Sequence, residues 1–244
     1  MATCSATDPI RLASNEVHSW CVALDVPPDT SAGLDVTLSH DERNRSARLR
    51  FARDRQRFIA ARGVLRQLLG RYLGTRPGQI RFAYNAFGKP ELSPEFGSRL
   101  RFNLSHSADL ALIAITTDAG IGVDLEYIRP QPDYFDIARS FFSAAEVDEL
   151  NRLPSRLHTL AFFSGWTKKE AYVKACGEGL AIPLTSFSVP LTTDPTHTLV
   201  DLARPWSLYT LQPVPGYVGA LAIEGTGWRL SQWHWQPQIT RIEP

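Results

Sequence analysis

GVDLE, residues 122–126, sets Asp124 and Glu126 two positions apart at the end of an apolar, β-prone run. Residues i and i+2 of a strand share a face. Two carboxylates on one face repel unless a metal or a strong base offsets them. A second charged pair, Glu170 and Lys174 in FFSGWTKKEAYVKACGEGL, has the i,i+4 spacing that puts both side chains on one face of a helix. Read alone, that pair is a solvated salt bridge, and the run Lys168, Lys169, Glu170 and Lys174 is an ordinary exposed helix face.

The cations are elsewhere. Ten arginines (43, 45, 48, 50, 53, 55, 57, 62, 66 and 71) lie between Asp41 and Arg71, where only Asp41, Glu42 and Asp54 oppose them. Several form a solvated basic face, but a planar, permanently charged guanidinium also suits phosphate. Lys89 in the tight GKP turn adds a further cation. His106 sits between Ser105 and Ser107, and all three side chains can donate to an anion. Acids that want a cation and cations that want an anion are both satisfied by a phosphorylated ligand with a divalent metal. Mg²⁺ takes a few carboxylates, keeps waters and completes its octahedron with phosphate oxygens. The residues alone therefore lead to a metal-dependent enzyme or binder acting on a polyanionic phosphate compound, and they do not select the substrate.

The elements that must position these groups follow from periodicity. Residues 16–26 read as a first strand and PPDTSAG as a loop. Ser39 with Glu42 forms a capping box. From Asp54 to Leu73 the apolar Phe58, Ala61, Leu65, Leu68 and Tyr72 recur at helical steps, ending at Gly74. IRFAYN is a short strand, AFGKPEL a turn, and RLRFNLSHSADLALIAIT a strand, a break at SHS and a strand. GIGVDLEYI is another strand. Ser143 with Glu146 repeats the capping box, and Glu146 reads as a helix cap. Residues 156–176 form a second long helix closed by Gly177. TSFSVPL, SLYTLQPV, YVGALAIE and WRLSQWHW read as a C-terminal meander. A long helix followed by a strand thus occurs twice, suggesting two α+β halves, 1–118 and 119–244.

The bulk numbers are less informative. A net charge of +1 over 244 residues says nothing about a partner. Three cysteines, Cys4, Cys21 and Cys176, without CxxC spacing argue against a disulfide framework and a zinc site. The N-terminus lacks a signal-peptide pattern, and no apolar run approaches the roughly 18 residues of a membrane span. A cytoplasmic protein is the expectation.

The order of GKP (88–90), FNLSHS (102–107), GVDLE (122–126), FFSAAE (141–146) and WTKKEAYVKACGEGL (166–180), with RFARDRQRFIAARGVLR (50–66), resembles the Sfp-type 4′-phosphopantetheinyl transferases over roughly residues 40–190. The resemblance implies an α+β fold of two similar halves, with the site between them and no dimer needed to build it. It implies transfer of the phosphopantetheine arm of coenzyme A to a serine of an apo acyl or peptidyl carrier protein, releasing 3′,5′-ADP. It carries Mg²⁺ ligands onto Asp124, Glu126 and Glu170, and coenzyme A contacts onto Arg57, Lys89, Pro90, Ser105, His106, Asp124 and Lys174. Glu170, directly or through a metal-bound water, becomes the base, and Lys174 stabilises or protonates the leaving phosphate. Some relatives use lysines before the first long helix to grip the 3′-phosphate. Here only Arg43, Arg45 and Arg48 are available. A nucleotide phosphohydrolase and a nucleic-acid binder using the arginine-rich arm remain the competing readings.

Overall fold

The first strand already shows the layering. In β1 (Glu16–Ala23), Trp20 and Val22 point into one apolar cluster, while Val17 and Cys21 point into another. A strand buried on both faces lies in the middle of a stack. The computed structural model describes residues 10–129, 133–199 and 204–237, so Cys4 and the N-terminal nine residues lie outside it.

The elements after β1 are α1 (Pro28–Asp35), α2 (His40–Ala47), α3 (Ala52–Leu73), β2 (Phe82–Tyr84), β3 (Pro90–Leu92), β4 (Leu100–Ser107), β5 (Leu110–Thr117) and β6 (Ile121–Tyr127). Then come α4 (Tyr134–Phe141), α5 (Ala144–Arg152), α6 (Ser155–Cys176), β7 (Thr196–Leu199), β8 (Trp206–Leu211), β9 (Tyr217–Glu224) and β10 (Arg229–His234). One sheet runs β10-β1-β5-β4, the other β6-β9-β8-β7, and β2 pairs with β3 in a small hairpin. The fold is α+β. Helix α3 covers one sheet through Ala61, Leu65 and Leu68. The sheets face each other through Leu112 and Ala114 on one side and Val123, Leu221 and Ile223 on the other. Helix α6 covers the second sheet against Ala220 and Ala222.

Both long helices occur where periodicity puts them. Each has 22 residues and stops at a left-handed glycine, Gly74 (φ 63°) and Gly177 (φ 76°). Both capping boxes form. Their glutamates do more than cap. Glu42 is buried and paired with Arg66 at 2.6 Å, and Glu146 with Lys169 at 2.8 Å.

Four expectations are corrected. PPDTSAG contributes to a helix rather than a loop, because Pro28 at its first position supplies a ready φ. TSFSVPL is not a strand. Its carbonyls at Phe187 and Pro190, with Leu184 just before it and Thr192 just beyond, accept hydrogen bonds from the ammonium groups of Lys168 and Lys169 instead of from a ladder. The strand after the second long helix is β7, not the TSFSVPL segment. Those two lysines are fully buried, not an exposed face. The last strand also leaves the expected meander. β10 pairs parallel with β1, from Glu16↔Arg229 to Cys21↔His234, so it crosses the division expected at residue 118. No described helix is long and apolar enough to cross a membrane.

Gly122 fixes the site's geometry. A Cβ built there would lie 2.0 Å from the Ala171 carbonyl oxygen and 2.4 Å from the Ala175 nitrogen. Strand β6 thus lies directly on the α6 backbone, which puts Asp124 beside Lys174. Neither neighbour is a flexible side-chain end, so relief requires moving strand from helix. Gly122→Ala is expected to destabilise by about 3 kcal/mol or more, at or above the upper end of ordinary overpacking. Thermal unfolding of the purified variant measures it.

Candidate active site

The site forms where the edge strands of the two sheets, β4 and β6, run side by side. On β1 and β5 the residues facing the second sheet include the apolar Val17, Cys21, Leu110, Leu112 and Ala114, but on β4 they include Asn103, Ser105 and Ser107. Each takes a partner on β6. The Val123 N–H donates to Asn103 Oδ1 at 2.8 Å. Ser105 Oγ donates to Asp124 Oδ1 at 2.8 Å, and Ser107 Oγ to Glu126 Oε2 at 2.9 Å. The Tyr127 N–H donates to Ser107 Oγ at 3.1 Å. Polar side chains stitch the sheets here where no backbone ladder does.

The SHS segment is therefore the end of a strand, not a break. Strand alternation sends Ser105 and Ser107 to the β6 side and His106 to the opposite face, so the three do not converge on one anion. Desolvation pushes the His106 pKa down, with Lys174 and Arg45 adding to the effect and Asp124 opposing it. Of the three arginines before the long helix, Arg45 is the one His106 feels. Arg45 also stacks over Phe58 at 5.6 Å. Arg43 instead reaches back to the Asp35 carbonyl.

Lys174 comes from the last turn of α6. Its ammonium donates to Asp124 Oδ1 at 2.5 Å and to Ser105 Oγ at 3.2 Å. The other carboxylate oxygen, Asp124 Oδ2, is buried and has no hydrogen-bond partner. An orphaned carboxylate oxygen in a buried setting calls for a cation. Burial pushes the Glu170 carboxyl up, and repulsion from Asp124 and Glu126 adds to that against the opposing pull of Lys174. Burial also raises Glu126, with Asp124 adding and the Ser107 hydrogen bond opposing. Glu170 thus feels the charge of both other acids. Among the described residues, however, no three acidic, histidine or cysteine side chains close into a metal cage by themselves. The donor set still fits Mg²⁺, which needs only a few carboxylates when waters and phosphate oxygens complete the shell.

Two of the expected coenzyme A contacts are engaged within the chain. The Lys89 ammonium donates to the carbonyls of Ile121 (2.9 Å), Lys174 (2.6 Å) and Ala175 (3.3 Å). It ties the start of β6 to the end of α6, and burial lowers its pKa to about 8. Arg57 is gripped by Asp25, an acid the sequence reading did not set against the arginine-rich arm. Arg62 and Arg66 are likewise paired, with Glu42. Phe87, Gly88, Lys89 and Pro90 line one side of a cavity of about 310 Å³, with Glu170, Val173, Lys174, Ile182 and Leu184 opposite.

The raised carboxyls have a consequence for stability. Their folded pKa values lie above the ordinary 4.5. Stability linked to their protonation is present below pH 4.5 and is lost as pH rises through the folded values. Glu170→Gln should therefore raise the Tm of the metal-free protein at pH 7.5, at about 2–4 °C for each kcal/mol of relief in a chain of this size. The gain should shrink toward pH 4.5. Differential scanning fluorimetry in EDTA across that range checks both statements.

Comparisons with known proteins give the family. Residues 120–222 match the model of the 4′-phosphopantetheinyl transferase superfamily, and residues 30–118 match that of the 4′-phosphopantetheinyl transferase N-terminal region. The chain is 44% identical over 228 residues to the 4′-phosphopantetheinyl transferase HetI of Nostoc sp. PCC 7120, covering 93% of this chain and 95% of that one. It is 31% identical over 182 residues to the 4′-phosphopantetheinyl transferase Sfp of Bacillus subtilis strain 168, covering 74% and 79%. A Bacillus pumilus relative, the 4′-phosphopantetheinyl transferase psf-1, is 33% identical over 75% of this chain and 78% of its own. With both family models matched in order and a relative this similar along nearly its whole length, the chain belongs to the 4′-phosphopantetheinyl transferase superfamily.

Proposed function

We propose that this chain transfers the phosphopantetheine arm of coenzyme A to a serine of an apo acyl or peptidyl carrier protein, with Mg²⁺, leaving 3′,5′-ADP. Family membership supplies the reaction class. The observation that carries the finer reading is Asp124. One of its oxygens holds Lys174 and Ser105 while the other is buried without a partner. Asp124, Glu126 and Glu170 would hold Mg²⁺, which would neutralise charge on the pyrophosphate.

The roles of the chain's own groups follow. Glu170, its carboxyl raised by burial and by Asp124, accepts the proton of the carrier serine hydroxyl as that oxygen attacks the β-phosphorus. Lys174, one helical turn on, faces the same site and stabilises charge on the departing phosphate. Arg57, His106 and Arg45 read the nucleotide end, Arg45 being the arginine His106 senses. Pro90 and Ser105 line the coenzyme A cleft. Lys89 holds β6 and α6 in register beneath it. We take the two capping-box helices, each with a buried glutamate paired to a cation of a long helix, as the repeated feature of two related halves. We place the enzyme in the cytoplasm as a monomer; Cys21 and Cys176 are free thiols, as that compartment favours.

Intact-mass spectrometry of an apo carrier protein incubated with the enzyme, coenzyme A and Mg²⁺ tests the reaction. A mass gain of one phosphopantetheine arm is expected, and hydrolysis of coenzyme A without it would mark a phosphohydrolase. Asp124→Ala and Glu170→Ala should each abolish transfer while the fold persists, and full activity in either at ordinary Mg²⁺ would sink the assignment. Glu126→Ala should be milder, since water can replace one ligand. Lys174→Ala should lose kcat more than coenzyme A affinity, because its role belongs to the transition state. A change confined to KM would make it a ground-state clamp.

A further inference from the structure

Asp25 lies just beyond β1, in no motif and at no position matched to a function. Its carboxylate nevertheless grips Arg57 through two parallel hydrogen bonds, Nε to Oδ1 and Nη2 to Oδ2, both 2.7 Å. The third nitrogen of the guanidinium, Nη1, donates to the Ala108 carbonyl at 2.8 Å. Three segments meet at this one side chain: the end of β1, the second turn of α3 and the tight turn between β4 and β5. Asp109, next in that turn, gives its carboxylate to the Tyr217 hydroxyl, so Asp25 is the acid that holds Arg57.

The turn needs holding. Ala108 has φ 49°, a left-handed conformation that a residue with a Cβ adopts only when its surroundings enforce it. Besides Tyr217, whose hydroxyl meets both the N–H and the carboxylate of Asp109, two restraints act on the turn's carbonyls. Arg57 binds the Ala108 carbonyl, and the Leu24 N–H donates to the Asp109 carbonyl at 2.8 Å. Both come from partners fixed beside Asp25. His106 lies two residues before Ala108, near the end of β4. The bond from Arg57 to the Ala108 carbonyl ties α3 to this end of the strand.

A guanidinium carries five N–H donors. Asp25 and Ala108 use three and leave two. We propose that Asp25 is a positioning residue for phosphate recognition: it locks Arg57 against the turn with those two donors left over, so that the 3′-phosphate of the donor meets a preorganised fork. This inference rests on the reading of Arg57 as a contact of the nucleotide end. Without Asp25 a long, rotamer-rich side chain would have to be ordered at the moment of binding. The opposing effect, repulsion between Asp25 and the phosphate, is the weaker one. The Asp25 side chain is 57% exposed against 19% for Arg57, so water screens its charge while its contact still fixes the geometry.

The test uses the whole enzyme and reads binding as well as turnover. Calorimetry gives Kd for 3′,5′-ADP and for ADP, and kinetics with an apo carrier protein give kcat and KM for coenzyme A and dephospho-coenzyme A. In Asp25→Asn, Kd for 3′,5′-ADP and KM for coenzyme A should rise about threefold to tenfold, the equivalent of one immobilised long side chain. The ADP and dephospho-coenzyme A values should stay put, kcat should hold within about twofold, and Asp25→Glu should recover part of the loss. Tighter or unchanged 3′,5′-ADP binding in Asp25→Asn, or equal losses for both members of each pair, would overturn the proposal. Arg57→Ala separates the two layers of the argument. If it leaves the preference for 3′,5′-ADP over ADP intact, the phosphate reading of Arg57 fails and takes the proposal with it. If it abolishes that preference while Asp25→Asn does not reduce it, the role of Asp25 alone is wrong.

Discussion

Everything at this site depends on a strand lying bare against a helix. At Gly122 the backbone of β6 meets the backbone of α6 with no side chain between them. The closeness brings Asp124, two residues on, to within 2.5 Å of Lys174. A sheet and a helix packed through ordinary side chains stand about 10 Å apart, too far for short acids and a lysine to share a proton or an ion. The Lys89 ammonium reinforces the contact by bonding carbonyls of both elements. Its burial and lowered pKa are the cost of bringing a cation to carbonyls that the helix end would otherwise leave unsatisfied.

The second requirement is that the two sheets stay in register, and this is met by polar chemistry inside an apolar interface. Asn103, Ser105 and Ser107 replace a backbone ladder between β4 and β6 with side-chain bonds. Such bonds are directional, whereas the Leu112, Val123 and Leu221 contacts around them are not. The hydrophobic cluster holds the sheets together, and the stitched seam fixes where along each other they stand. The same division of labour recurs at the helix starts, where buried Glu42 and Glu146 each join a cap, a cation and a neighbouring segment. Removing one partner of such a pair strands a buried charge, which is why these acids are structural rather than expendable.

Much of this is legible in the sequence where a residue's role is local. Helical periodicity locates α3 and α6, capping boxes locate α2 and α5, and the apolar run with GVDLE locates β6. The errors arise where a distant partner overrides local preference. Lys168 and Lys169 look like solvent residues, and nothing near them says that carbonyls at 184–192 will surround them. The same carbonyls are why TSFSVPL, strand-like by composition, cannot be a strand. SHS looks like a break because serine and histidine are poor strand residues. The period-two pattern of Asn103, Ser105 and Ser107 was the available signal that they line one face. Asp124, Glu126, Glu170 and Lys174 are brought together as their motifs suggest. The Lys89 and Arg57 side chains are engaged by Ile121, Lys174 and Asp25, and no spacing rule connects those residues.

The pairing of β10 with β1 has a consequence for how the chain reaches this structure. Glu16 and Arg229 become neighbours only after all the residues between them are available. As the polypeptide leaves the ribosome, β1 can pair with β5 early but keeps an open edge until residues 229–234 emerge. The aromatic stack of Trp20 on Trp233 closes at that last moment too. Contacts this distant in sequence form slowly because a long loop must be closed first. Until they form, an apolar strand edge is available to any other chain, which makes the interval before β10 docks one in which this protein is exposed to aggregation.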